Sequence, residues 1–166
     1  MAKPKAKTHL QKLGFLDTDK KNSKHDIIQI WVYENIEKII SDTIMKKNTH
    51  PFEIKDIRWE HQVMNINGRY TNVVGFIDIM VRFKSKFYFH DTDEYEDFTK
   101  QIFIEVKTEI PNLGALIRQM RTYQAYERND TYYLIVAPDD KFKKLLNDQG
   151  FYFYKYEFPK DPTLLF

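Results

Sequence analysis

The run Thr131-Tyr132-Tyr133-Leu134-Ile135-Val136-Ala137 is short, continuous and apolar. A strand of that kind has no polar face to give to water, so it has to be covered on both sides. That requirement shapes the rest of the chain, because a sheet covered on both sides needs helices to flank it. The segment just before supplies one: Pro111-Asn112 opens a helical stretch to about Arg128, with Asn112 as its N-cap. Before that helix, Ile102-Phe103-Ile104-Glu105-Val106-Lys107 reads as a strand. A strand, a crossover helix and a second strand place strands 102–107 and 131–137 side by side and parallel.

The upstream chain completes the sheet. Residues from about Glu53 to Ile66 and from about Arg69 to Phe83 read as strands joined at Asn67-Gly68, which predicts a hairpin with a type I′ turn. From Ser23 or Lys24 to about Met45, apolar residues recur at three and four (Ile27, Ile28, Trp31, Val32, Ile36, Ile39, Ile40, Ile44), predicting one helix N-capped by Ser23. Residues 84–100 are a polar excursion with five acids in the seven residues Asp91 to Asp97, read as an exposed loop or a hairpin extension. Pro138-Asp139 starts a short helix that stops at Gly150, and Phe151 to Phe158 is a closing aromatic strand. The expected order is α-β-β-β-α-β-α-β, an α/β fold with a mixed sheet between helices.

Composition narrows the chemistry. The 166 residues hold no cysteine, which excludes disulfides, thiolate zinc sites, iron–sulfur clusters and thiol nucleophiles. No apolar run approaches the ~18–20 residues of a membrane helix, and no signal-peptide stretch opens the chain, so a cytoplasmic protein without a membrane partner is expected. The formal net charge is +2, but residues 1–24 carry a local +5 and the remainder −3. Residues 1–23 therefore read as a basic, partly flexible arm, suited either to nucleic-acid phosphates or to solubility, ahead of a single domain over 24–166.

Two places break the apolar strand pattern. Asp78 interrupts Val73-Val74-Gly75-Phe76-Ile77-Asp78-Ile79-Met80-Val81, and Glu105 and Lys107 flank Val106 on one face of the next strand. Burying a charge is costly unless it is paired or coordinates a metal. Antiparallel pairing brings Asp78 beside Glu105 and Lys107, where two carboxylates repel and a divalent cation would relieve the repulsion. A structural ion pair of Lys107 with either carboxylate is the plainer reading of the same residues.

This order of residues resembles the PD-(D/E)XK nuclease superfamily over about residues 24–137, with Ile77 where the proline of that pattern stands. Gln119-Met120-Arg121-Thr122-Tyr123 is similar to the Gln-x-x-x-Tyr helix motif of its RecB-like members. The resemblance implies a restriction-endonuclease-like fold and a DNA nuclease, endonuclease rather than exonuclease. It implies Mg²⁺, with Mn²⁺ able to substitute, held by Asp78, Glu105 and the Val106 carbonyl. Lys107 would orient or deprotonate the attacking water, and Gln119 would position Glu105, the metal waters or the nucleic acid, with Tyr123 supporting it. From the first helix the resemblance implies a further acid, for which Glu34 is chosen over Asp26 and Glu37.

Arg118, Arg121 and Arg128 make the crossover helix basic, so Arg118 and Arg121 with Tyr123 are candidate nucleic-acid contacts. Glu60 reads as an outer acid or a solvated side chain. His25, His61 and His90 lack metal-ligand spacing and read as surface or core histidines. Cutting both strands of a duplex most simply needs two active sites, which implies a homodimer. The alternative reading is a non-catalytic nucleic-acid-binding module that keeps the nuclease fold.

Overall fold

The computed structural model describes residues 24–158; the basic arm 1–23 and the Ser23 cap lie outside the described residues. Helices α1 (Lys24–Glu34) and α2 (Ile36–Asp42) are followed by β1 (Phe52–Asn67), β2 (Tyr70–Phe89) and β3 (Glu94–Val106). Then come α3 (Leu113–Tyr126), β4 (Thr131–Ala137), α4 (Lys143–Asp148) and β5 (Tyr152–Lys155). The five strands form one sheet in the order β1-β2-β3-β4-β5. β2 runs antiparallel to both β1 and β3, while β3, β4 and β5 run parallel. The fold is α/β, a mixed sheet flanked by helices.

Two apolar cores lie on the two faces. Ile28, Val32, Ile36, Ile39 and Ile40 from α1 and α2 cover Ile79, Val81, Ile102, Ile104, Leu134 and Val136. On the other face, Leu116, Met120 and Tyr123 of α3 with Leu146 of α4 cover Val63, Ile77, Met80, Phe103, Ile135 and Phe153. Every residue of β3 from Gln101 to Val106 is buried, as a central strand between two helical layers must be. In the aromatic closing segment Phe151, Phe153 and Tyr156 are buried, which makes it core.

Three expectations need correcting, and a fourth settles on one of its two alternatives. The first helix breaks at Asn35, whose side-chain Nδ2 donates to the Trp31 carbonyl (2.9 Å) that its own backbone N–H also uses (3.0 Å). Such side-chain competition for a backbone acceptor is a local alternative to helix. The β1–β2 turn has Gly68 and Arg69 at its centre, and only Gly68 (φ +59°) has positive φ. Glycine at the first central position is the pattern of a type II′ turn, not I′. Helix α4 begins only at Lys143, because the Asp139 carboxylate accepts the Lys141 N–H (2.9 Å) and makes a turn first. The excursion 84–100 is a hairpin extension: β2 continues to Phe89, β3 starts at Glu94, and the pair runs to Phe89–Glu94.

Helix α3 starts where expected. The Asn112 side chain accepts the Ala115 N–H (2.9 Å), satisfying one of the unpartnered amides of the first turn. Asn112→Ala is expected to lower stability by about 1 kcal/mol, read as a lower urea midpoint at unchanged slope.

Candidate functional site

The β2–β3 ladder stops at Ile79–Ile104, so the next positions in register are Asp78 and Glu105. What parts the strands is a matched disturbance in β1 and β2. Trp59 packs toward α1, with its ring 4.7 Å from Tyr33, whereas His61 lies 5.5 Å from Phe103 on the α3 side. Likewise Ile79 belongs to the core under α1, and Ile77 to the core under α3. In a regular strand residues two apart share a face. Trp59 pairs with Ile79 and His61 with Ile77, so both strands roll over together at Glu60 and Asp78. Glu60 takes up part of the rotation at φ +48°, an uncommon backbone state for a residue with a Cβ.

Freed from the ladder, the Asp78 carboxylate occupies the seam between β2 and β3. Its Oδ2 accepts the Val106 N–H (2.7 Å), replacing a strand-to-strand hydrogen bond. Its Oδ1 lies 3.4 Å from His25 Nε2 on α1. The Asp78 carbonyl accepts from Nε2 of Gln29, a side chain buried in the α1 face (3.1 Å). Meanwhile the β3–β4 ladder continues, with the Lys107 N–H donating to the Val136 carbonyl (2.9 Å).

Glu105 points to the α3 side and is 4% exposed. Its Oε1 accepts from Lys107 Nζ (2.7 Å) and from Gln119 Nε2 (2.8 Å). Its Oε2 is buried with no hydrogen-bond partner. The second hydrogen of the Gln119 amide goes to the Tyr123 hydroxyl (3.0 Å), which donates in turn to the Phe76 carbonyl (3.0 Å). This relay fixes the orientation of the Gln119 amide. Tyr123 reaches Phe76 because β2 has glycine at 75: a Cβ there would stand 2.7 Å from Tyr123 Cε1.

The electrostatics follow from burial. Desolvation, and then the charge of Asp78, hold Glu105 above its ordinary value of 4.5, against the opposing pull of Lys107 and Gln119. The carboxylates thus interact although they approach the seam from opposite sides. The hydrogen bond and charge of Asp78 raise His25 above 6.5, with burial opposing them. The His25–Asp78 pair therefore stabilises the fold fully below pH 6.5, and loses that contribution as pH rises through the raised value. Burial keeps the Tyr123 phenol protonated as a donor by raising its pKa.

The structure brings together Asp78, Glu105, Val106, Lys107, Gln119 and Tyr123. It does not bring Glu34, which is exposed at the far end of α1, about 13 Å along the helix from His25. Tyr123 is 5% exposed and belongs to the relay, so it offers no surface to a nucleic acid, contrary to expectation. Arg121 is committed elsewhere: it donates to the Gln149 carbonyl (2.7 Å) and lies over the Phe151 ring at 4.8 Å. Arg118 is exposed on α3. The residues that sequence reasoning passed over are His25 and Gln29, whose i, i+4 spacing on the first helix was the available signal.

A cation fits the donor set on one observation: an unpartnered, buried carboxylate oxygen on Glu105, with Asp78 across the seam. Among the described residues no three His, Asp or Glu side chains form a group able to hold a metal. Mg²⁺ suits that supply, since it keeps several waters and takes one or two carboxylates. Comparison of the chain with family models, with curated proteins and with solved structures finds no match.

Two outcomes are expected. Because the raised Glu105 value makes the native state hold a proton longer, stability falls as pH rises from 4.5 through that value. In chelator at pH 8, Glu105→Gln should melt about 2–4 °C above the wild type, with the gap closing toward pH 4.5. Added Mg²⁺ should raise the wild-type melting temperature and leave the variant's unchanged. Separately, Gly75→Ala should cost about 1–3 kcal/mol in urea denaturation, because Tyr123 must move.

Proposed function

We propose that the chain is a Mg²⁺-dependent nuclease with a restriction-endonuclease-like core, cutting phosphodiester bonds of DNA, and an endonuclease rather than an exonuclease. The observation that carries this reading is the buried Glu105 carboxylate: one oxygen is shared by Lys107 and Gln119, and the other has no partner. A fold gains no stability from a charge kept in that condition, whereas a reaction that places positive charge beside it does.

Asp78 and Glu105, with the Val106 carbonyl, are the groups that would hold the metal. Bound there, Mg²⁺ or Mn²⁺ would supply Lewis-acid stabilisation of charge on the scissile phosphate. Lys107 carries its amine on the open side of Glu105, with a side chain 30% exposed. From there it can orient a water for in-line attack and offset negative charge on phosphorus. Gln119 holds the Glu105 carboxylate in place, and Tyr123 holds Gln119. His25 steadies Asp78 from α1 and adds positive charge below its raised pKa.

The test is cleavage in Mg²⁺ and in Mn²⁺ of linear duplex, single strand, flap and four-way junction. Lys107→Ala is expected to slow cutting about 10²–10⁴-fold while the chain stays folded by circular dichroism, with a lowered melting temperature because Glu105 loses its cation. Full activity in Lys107→Ala or Asp78→Ala would overturn the catalytic assignment. Tight DNA binding without products would favour the non-catalytic binding module.

A further inference from the structure

The β1–β2 hairpin outruns the rest of the sheet. β2 pairs with β3 only as far as Ile79–Ile104, but β1 and β2 stay paired to Asn67–Tyr70. The stretch from Asp78 out to Tyr70 thus extends as a two-stranded arm about 25–30 Å long, starting at the candidate site. One face of the arm is held down: Gly75 lies under Tyr123, Val63 is buried below α3, and Arg128 donates to the Ile66 carbonyl (3.0 Å). By alternation the pairs Gln62–Phe76, Met64–Val73 and Ile66–Thr71 face the other way. On that open face Phe76 is 50%, Val73 41% and Ile66 50% exposed, whereas Tyr70, paired with Asn67, falls on the opposite face by the same alternation.

We propose that this open face, with Phe76 as its aromatic platform, is the surface on which bases of an unpaired DNA strand stack as the strand is led to Asp78 and Glu105. The proposal rests on the nuclease reading and names its substrate as DNA with a single-stranded portion. Charge supports the choice of occupant. Residues 61–77 contain no Asp or Glu, and apart from His61 their one side chain that carries charge at neutral pH is Arg69. Their other polar groups are the neutral amides and hydroxyl of Gln62, Asn65, Asn67, Thr71 and Asn72. The arm itself carries no carboxylate; Glu127, at the end of α3, acts on His61 from the held-down face.

The same charge count separates single strand from duplex. Duplex binding depends chiefly on neutralising many phosphates, and one arginine is a poor supply for that. Stacking needs base faces that a duplex keeps covered, and it asks for aromatic side chains more than charge. The opposite end of the sheet has the reverse character. The five acids of 91–97 stand on the β2–β3 hairpin, about 36 Å along β2 from Asp78, so a strand approaches from the arm end.

The experiment is fluorescence anisotropy of the full chain in chelator, so that no strand is cut, with labelled oligothymidylate and a blunt duplex as probes. The wild type should bind oligothymidylate more tightly than duplex. Phe76→Ala should weaken oligothymidylate binding about tenfold, with less than a twofold change for duplex and an unchanged melting temperature, whereas Tyr70→Ala on the opposite face should change neither affinity by as much as twofold. Unchanged oligothymidylate affinity in Phe76→Ala overturns the proposal, as does a loss in Tyr70→Ala equal to that in Phe76→Ala, or tighter wild-type binding to duplex. A variant that alters the melting temperature or the oligomeric mass without altering DNA affinity also overturns it, because the face is then covered by this chain or by a second copy. A wild type that binds neither probe and cuts nothing removes the nuclease reading itself, a result distinct from failure of the arm alone.

Discussion

Everything about the candidate site depends on a single hydrogen bond across a gap. Where β2 and β3 part, the Asp78 carboxylate takes the Val106 N–H that a neighbouring strand would otherwise have taken. That bond holds the opening to a fixed width and anchors one acid in the seam. It also sets the main chain of Glu105-Val106-Lys107, which the β3–β4 ladder grips from the other side. An acidic side chain used in place of a backbone acceptor contributes a charge-assisted bond and brings its charge to the end of the sheet.

The second acid is held differently. Glu105 is nearly inaccessible, and its neighbours satisfy one oxygen only. Lys107 reaches it from the open side, while Gln119, Tyr123 and the Phe76 carbonyl form a relay that ends back on β2. Gly75 makes room for that relay. The α3 helix, the bare point on β2 and the end of β3 therefore work as one unit, and a change at any of them reaches Glu105. On the other face, His25 and Gln29 of α1 do for Asp78 what α3 does for Glu105.

The sheet is also electrically lopsided along its length. Its β2–β3 hairpin concentrates acids, whereas the β1–β2 arm has none, and the site lies between the two nearer the arm. An anionic polymer is thereby steered to one end.

Much of this was readable from residue order. The apolar run 131–137, the capped helix before it and the three preceding strands pointed to a mixed sheet covered on both faces, because an apolar strand needs a layer on each side and a helix crossover makes its neighbour parallel. Asp78 and the Glu105-Val106-Lys107 triplet announced themselves as charges in apolar strands, and the i, i+4 pair Gln119 and Tyr123 as one helix face. Three things needed the tertiary structure. The roll of β1 and β2 at Glu60 and Asp78 puts residues two apart on opposite faces, which a rule of strict alternation hides. Tyr123 and Arg121 are spent on internal partners, which composition cannot distinguish from surface. The choice of His25 over Glu34 on the first helix depends on which end of that helix meets the seam, a matter of packing between segments some fifty residues apart. Local pattern determines what each segment must bury; only packing decides which polar groups then meet.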